Sequence, residues 1–537
     1  MNSIGTRIIV VACLAAPLCL TPVVRAQGPL TPPGAPGETM KTLAQVEPRI
    51  PVFSSPVMLS QPGSYYLTTN LSGTVTIAAN NVTLDLMGFS IVASSGNAVE
   101  LSGTPKNVRV HNGILSSSAG SGIAFGGSLS NANGVVENLR VNDSYTGIQV
   151  CSGYTVRNCH VYGASYVGIV VYGSSVVRDC WVEGCGMGLY LPGTGALLEN
   201  NIVKGNANNY NIFPGNRLNL LLCEVPQSFG QPCSVKFAGT LTMAGPGNGI
   251  TVYASDVTID LAGHALVGPG TTSGHGIYQD AGSRNLRVMN GKVVGWCGAG
   301  ATGINVLGAA SVLTGLQACT NRTGMMTGLG SIVSGCTVYH NGYYGIWVGP
   351  DSTVSECSSV GNGADGFYVL PGGTVSGCTA VQNAGNGFQI ENSCTVSGCV
   401  ANHNAVSGFS AGSSMISSCK AEFNAGDGIY VADNCVVSRC TSVTNGFGGG
   451  FCAGIYVDGK NNRIEENTMT ENYIGLAVFA AGNFIARNIA FNNSLINWHI
   501  VADNICLVVK AITGGAISGE SGGVSPGSTD PNANYTR

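Results

Sequence analysis

From Gly303 to about residue 500, short apolar and polar alternations return every 21 residues. Each opens on a glycine and runs glycine, apolar, variable, apolar, as in Gly345-Ile346-Trp347-Val348, Gly366-Phe367-Tyr368-Val369 and Gly387-Phe388-Gln389-Ile390. Period two is the signature of a strand with one face inside. The opening glycines are Gly303, Gly324, Gly345, Gly366, Gly387 and Gly408, then Gly428, Gly454 and Gly475 after steps of 20, 26 and 21. A second apolar position recurs about nine places on, at Val312, Val333, Val354, Val375, Val396, Ile416, Val437, Ile464 and Ile485. Glycine, asparagine, serine and proline separate the runs, and no run has the length or spacing of a helix. One such coil cannot bury its own apolar face, so its neighbours must do so. The pattern predicts an all-β chain with three short strands per turn, stacked as a parallel β-helix with coils ~4.8 Å apart.

Two polar ladders run at the same period. Asn341, Asn362, Asn383, Asn404, Asn424 and Asn445 share one place in successive coils. Stacked amides there bond along the axis and satisfy a turn backbone. Cys336, Cys357, Cys378, Cys399, Cys419 and Cys440 share another, with Cys159 and Cys180 in earlier coils and Asn201, Asn467 and Asn488 in the same slot elsewhere. These cysteines read as small buried residues. Shared register alone does not supply the geometry of a disulfide.

Residues 1–26 read as a secretory signal peptide, with Arg7 ahead of an apolar run and a small residue, Ala26, at its end. A lipid-anchor reading at Cys13 fits less well, because apolar sequence continues beyond it. Residues 27–56 form a Pro-rich linker. A first β-helix section spans 57–215 and a second spans 216–511. Residues 512–537 have almost no apolar content and read as a disordered tail. Val82 to Gly88 (VTLDLMG) and Val257 to Gly263 (VTIDLAG) open similar stretches, which suggests a tandem duplication. Asn206 to Pro232 breaks the period.

Only 9% of residues are charged and 79 are glycine, which suits a turn-rich stack. The formal net charge of -4 supplies no basic stripe for nucleic acid. No apolar stretch after the signal is long enough to span a bilayer. A secreted or periplasmic location follows from the leader, and nothing in the sequence sets an oligomeric state. Two of the 20 cysteines, Cys13 and Cys19, lie in the leader. Oxidising compartments permit disulfides, and Cys223 with Cys233, in the irregular stretch, reads as one. No Cys-x-x-Cys pair supports zinc.

The coils, with asparagine and small residues at their turns, and the two VT-x-DL openings resemble the right-handed parallel β-helix superfamily. That group has the pectin-lyase-like fold and includes pectate lyases, polygalacturonases, alginate epimerases and a domain class of carbohydrate-binding proteins and sugar hydrolases. The resemblance covers roughly residues 57–505 and implies the right hand of the helix. It does not carry an activity over. Polygalacturonase-like hydrolases have an adjacent Asp pair, a Gly-His-Gly and an Arg-Ile-Lys. Here only Gly274-His275-Gly276 is present, and His275 reads as a turn residue. The epimerase-like Asp-Pro-x-Asp is missing; Asp530-Pro531 lies in the tail. Asp85 and Asp260 hold equivalent places in the two VT-x-DL stretches and read as carboxylates that bind a turn backbone.

The position two after each glycine points outward. It carries Tyr278, Asn305, Met326, Trp347, Tyr368, Gln389, Ser410, Tyr430 and Tyr456. Rings stack on sugar faces and amides bond hydroxyls, so Trp347, Tyr368, Gln389, Tyr430 and Tyr456 are the candidate substrate-binding residues. The competing reading is a ring ladder that only shields the strand. Asp433 and Asp458 follow adjacent strands and are the candidate catalytic carboxylates, as an acid and base or as Ca²⁺ ligands. Glu391, Asp365 and Asp427 lie near the same face. No motif supports Ca²⁺ or any other cofactor. Two functions follow: a polysaccharide-binding, structural or adhesive module without an identifiable catalytic set, or a polysaccharide lyase or glycoside hydrolase.

Overall fold

The computed structural model describes residues 48–126, 132–506, 508–510, 517–519 and 532–536. A single coil shows how the pattern becomes structure. Ile346–Val348, Thr353–Ser355 and Ser358–Val360 are its three strands, and Phe367–Val369, Thr374–Ser376 and Thr379–Val381 repeat them one coil on. The pairing is parallel and in register: Ile346 lies beside Phe367, Val354 beside Val375, and Ser359 beside Ala380. Ile346, Val348, Val354, Phe367, Val369 and Val375 are all fully buried. Phe367, Phe388 and Phe409 stack at 4.7 and 4.8 Å with rings 4° apart, so the rise per coil is read directly in the core. The result is the parallel β-helix that the 21-residue period predicts.

The corner between the second and third strands is one residue in the left-handed region: Glu356 (φ 53°), Gly377 (φ 60°), Gly398 (φ 62°) and Ser418 (φ 53°). Glycine adopts that conformation without strain. Cysteine follows each corner, and its thiol turns inward. Cys336, Cys357, Cys378, Cys399, Cys419 and Cys440 are all buried. The Cys357 N–H donates to the Cys378 Sγ at 3.5 Å, and each neighbour repeats the contact. Asn201, Asn467 and Asn488 continue this ladder through Oδ1, at 2.8 to 3.0 Å from the preceding N–H.

The asparagine ladder closes on itself more completely. The Oδ1 of Asn383 accepts both the N–H and the Nδ2 of Asn362, at 3.1 and 2.9 Å. Its own Nδ2 donates to the Ser359 carbonyl and to Asn404 Oδ1, at 3.1 and 3.0 Å. The ladder is longer than the sequence suggests: Asn321 precedes it, and Asn472 and Asn493 follow Asn445. A third ladder stands before the second strand and mixes residue types, with Ser331 donating to Ser352, Cys394 to Ser414 and Cys435 to Asn462. Its mixed identity hides it from a search for repeated letters.

One member of the apolar row is misplaced by one residue. Leu313, not Val312, lies beside Val333 and is fully buried, because the step from that coil to the next is 20 residues rather than 21. Asp85 and Asp260 bind turns: their Oδ1 atoms accept the Met87 and Ala262 N–H at 3.0 and 2.8 Å.

Among the described residues, the second and third strands form one 38-stranded sheet, whereas the first strands form an 8-stranded and a 14-stranded sheet. The change falls between Asn208–Ile212 and Gln227–Phe229. There the other face stays intact, since Arg217–Leu222 pairs with both Leu197–Lys204 and Ser234–Phe237. Cys223 and Cys233 are therefore thiols, not a bridge. The register that sets Asn219 beside Ser234 and Leu222 beside Phe237 puts the cysteines at opposite ends of the paired strands. Five residues of strand separate them, ~16 Å, beyond disulfide reach.

Two boundaries move. Ile50–Val52 already pairs with Tyr65–Leu67, so coils begin before residue 57. Ile517–Gly519 pairs with Trp498–Ile500, and Asn534 accepts the Asn488 N–H at 2.9 Å, so parts of the expected tail belong to the stack. The signal-peptide segment and most of the linker lie outside the described residues. Among those described, no helix is long and apolar enough to cross a membrane.

Candidate functional site

The first-strand face carries the outward row, and its register is the predicted one. Tyr278, Asn305, Met326, Trp347, Tyr368, Gln389, Ser410, Tyr430 and Tyr456 lie side by side in that order. Ala477 and His499 extend it. The rings form two groups. In the first, Trp347 and Tyr368 meet at 5.9 Å with planes 72° apart, and Tyr344 packs on both at 6.0 and 5.3 Å. Tyr343 lies 4.1 Å from Tyr344, beneath the Arg322 guanidinium at 5.6 Å. In the second, Tyr430 and Tyr456 stack at 5.6 Å, Tyr456 and Phe479 at 5.0 Å, and Phe479 meets His499 at 4.8 Å. Gln389 and Ser410 lie between the groups, and Gln389 Oε1 accepts from Asn386 at 2.9 Å.

Each group contains the same constellation. The Tyr368 hydroxyl donates to Glu391 Oε1 at 2.9 Å, and the Tyr430 hydroxyl to Asp458 Oδ2 at 2.9 Å. In both cases a tyrosine two places after its glycine reaches a carboxylate four places after the next one. An aspartate immediately before the tyrosine's own glycine stands on the other side. Asp365 accepts the Asn386 N–H at 2.6 Å, and Asp427 accepts the Ala453 N–H at 2.7 Å. The two units are thus Asp365, Tyr368, Glu391 and Asp427, Tyr430, Asp458. The sequence shows every one of these residues, but the pairing is lateral, between coils, and appears only once the register is known.

Burial sets the electrostatics. It raises the Asp365 carboxyl above the usual range and pushes Asp427 up to about 6, against the lowering effect of the accepted backbone N–H. Tyr430 is pushed up to about 12, first by burial and then by its bond to Asp458. Tyr368 is raised chiefly by its bond to Glu391. A glycine-rich loop lies beside Asp427: Gly448 donates to the Ala425 carbonyl, and Phe447 and Phe451 on that loop are exposed.

The two sequence-predicted carboxylates part company. Asp458 joins the second unit. Asp433 is exposed and its Oδ1 accepts the Lys460 N–H at 2.7 Å, as a turn carboxylate does. His275 is not in a turn; it begins the strand His275–Gln279 and its ring lies 5.4 Å from Tyr278. Its Nδ1 accepts the Thr302 N–H at 3.1 Å, and burial holds its pKa down. Among the described residues, no three His, Cys, Asp or Glu side chains converge as a metal site.

A family model described as "Right handed beta helix region" matches residues 66–208 and 248–406. Comparison with curated proteins returned no match. Among solved structures, the chain is similar to the Dettilon tailspike protein (gp208), with 14% identity and a TM-score of 0.34 over 54% of this chain and 60% of that one. It is also similar to the periplasmic alginate epimerase AlgG, with 11% identity and a TM-score of 0.27 over 66% and 76% of the two chains. A third is the catalytic unit of a GH87 alpha-1,3-glucanase from Streptomyces thermodiastaticus, with 12% identity and a TM-score of 0.18 over 74% and 62%.

Proposed function

Because this chain belongs to the right-handed beta-helix family, its outward side chains recur once per coil, and we propose that the first-strand face binds a neutral polysaccharide laid along the solenoid axis. The observation that carries this is the pair of Asp, Tyr and carboxylate units set into an aromatic row. Rings offer faces to sugar rings. The fixed carboxylates offer acceptors to hydroxyls. A pyranose chain advances by about one coil rise per residue, so successive sugars meet successive side chains.

The sign of the charge selects the ligand class. From Gly303 to Gly475, the positions one before, two after and four after each opening glycine hold four acids (Asp365, Glu391, Asp427, Asp458) and no Lys or Arg. A polyuronate or sulfated chain meets like charge at those positions, with Arg322, stacked over Tyr343, as a cation at the margin of the first ring group. The role is that of a binding, structural or adhesive module outside the cytoplasm; the location rests on the leader reading of residues 1–26.

One observation favours a second reading, a hydrolase or lyase. Asp427, pushed up to about 6, is partly protonated near neutrality and sits beside the Tyr430 and Asp458 pair. That is the condition of a general acid. Its partner is then Asp458, not Asp433, whose carboxylate is held in a turn.

Affinity electrophoresis tests both readings. The purified chain should be retarded in gels cast with a neutral glucan, mannan or galactan, and not in gels cast with alginate or polygalacturonate. Retardation by the polyuronates alone would overturn the charge argument. Shortening of a retained glycan, abolished in Asp427→Asn with retention kept, would put the enzyme reading first.

A further inference from the structure

The sheet of first strands stops at Asn208–Ile212 and restarts at Gln227–Phe229. Between the two edges lies a cleft of about 610 Å³. Amides dominate its wall, among them Asn208, Asn211, Gln227 and Gln231, with Tyr210 and Phe229 supplying apolar surface. We propose that this cleft is a separate binding pocket for a neutral saccharide of one or two rings.

Three features assign the ligand class. First, each amide offers both a donor and an acceptor, which matches hydroxyls that are themselves both. Second, no Lys, Arg or His lines the cleft, so a carboxylate, sulfate or phosphate finds no counter-charge. The carboxylate present, Glu224, is already occupied: it accepts the Gly205 N–H at 3.0 Å through one oxygen and the Asn209 amide through the other. Third, the open edges do not invite a peptide strand. The Gln231 amide donates to the Ile212 carbonyl, so a side chain already blocks part of the edge that β-strand addition requires. The volume falls within the usual range of small-ligand sites.

The cleft shares a face with the aromatic row but not its residues. Asn211 is level with Tyr190 on the upstream side, and Ser228 with Thr251 and then Tyr278 on the downstream side. Five coil steps separate Ser228 from Trp347, ~24 Å. This inference therefore stands or falls apart from the row.

The test is calorimetric titration of the full chain with cellobiose, maltose, laminaribiose and mannobiose, with digalacturonate and an alternating Thr-Val hexapeptide alongside. At least one neutral disaccharide should bind. Asn211→Leu and Gln227→Met, each nearly isosteric, should each weaken that binding tenfold or more. Trp347→Ala with Tyr368→Ala should leave the part of the binding that the cleft variants weaken in place, whatever it removes from the row. No binding by any neutral disaccharide overturns the proposal. So does binding that both cleft variants retain, or that the row variant abolishes. Binding of the hexapeptide alone also overturns it, in favour of strand addition. Should the cleft variants fail to fold, wild-type crystals soaked in the bound sugar decide: density between Asn211 and Gln227 supports the pocket, and density only elsewhere removes it.

Discussion

The asparagine ladder and the aromatic row repeat at one period and in one register, yet they are opposite kinds of surface. Asn341, Asn362, Asn383, Asn404 and Asn424 are buried, and each amide spends its donors and acceptor within its own and the neighbouring coils. The row from Trp347 to Tyr456 is half-buried and leaves capacity unused. Glu391 and Asp458 face outward with a single tyrosine hydroxyl each. Repetition thus fixes where a residue sits but not what it is for. The discriminating property is whether the row satisfies itself.

Breaking the closed ladder should have the largest effect. Asn383→Leu leaves the Asn362 N–H and amide, and the Ser359 carbonyl, without their partner in a buried turn. Each orphaned group costs about 1–3 kcal/mol, so the loss should be roughly 4 kcal/mol in chemical denaturation. Val354→Asp, which buries an unpaired charge between two coils, should cost several kcal/mol by the same measurement. A loss below about 1 kcal/mol for Asn383→Leu would mean that the ladder is incidental.

The second unit should show its burial in pH dependence. The folded-state pKa of Asp427 lies above its ordinary value, so folding opposes its ionisation. The penalty is absent below the unfolded pKa near 4 and complete above about 6. Stability should therefore fall as pH rises through this window, by on the order of 2 kcal/mol from this group. Asp427→Asn should flatten that part of the curve and be no less stable than wild type at pH 7. A steeper fall in the variant would show that the ionised carboxylate is favoured in the fold. Asp365→Asn should act in the same direction.

The open row should show the reverse profile, with little effect on folding and a plain effect on binding. Each stacked ring contributes on the order of 1 kcal/mol beyond area burial. Trp347→Ala with Tyr368→Ala should therefore weaken glycan retention roughly thirtyfold while changing the melting temperature by only a few degrees. Full retention by the folded double variant would make the row a shielding ladder. The same double change in the second group, Tyr430→Ala with Tyr456→Ala, then asks whether both groups hold one chain.

What could be read from the sequence follows the same division. The coil, the three strands, the core row from Val333 onward and two of the ladders were visible because one residue type recurs at one spacing. Leu313 was missed where the spacing changes by one, and the Ser, Cys and Asn ladder was missed because several residue types do the same job. The two Asp, Tyr and carboxylate units were missed for a different reason. Their members belong to different coils, so Tyr368 and Glu391, 23 residues apart, become neighbours only through stacking. Asp433 and Asp458 looked equivalent in sequence, yet one residue more before Asp433 turns it into the bend.

The smallest effect belongs to the thiol ladder, which resembles the asparagine ladder in position but not in strength. The Cys378 Sγ accepts the Cys357 N–H at 3.5 Å and donates to the Ser376 carbonyl at 3.4 Å. Sulfur is a weak acceptor and a weak donor. Cys378→Ala leaves one backbone N–H poorly satisfied and a void of one sulfur atom, so its cost should be about 1 kcal/mol, well under that of Asn383→Leu. Cys378→Ser keeps a donor and an acceptor in place and should cost less still. The thiols themselves report on the fold. The Cys357 thiol lowers Cys378, but the Cys399 thiol and then burial together push it up to about 12, so little thiolate is present at neutral pH. Alkylation at pH 8 should accordingly spare the ladder cysteines in the native chain and modify them once denaturant opens the coils. Exposed Cys297 should react first in the native chain. Rapid native-state labelling of Cys357, Cys378 or Cys399 would show that the coils part at this corner without global unfolding, and would place the weak seam of the solenoid on the thiol side rather than the asparagine side.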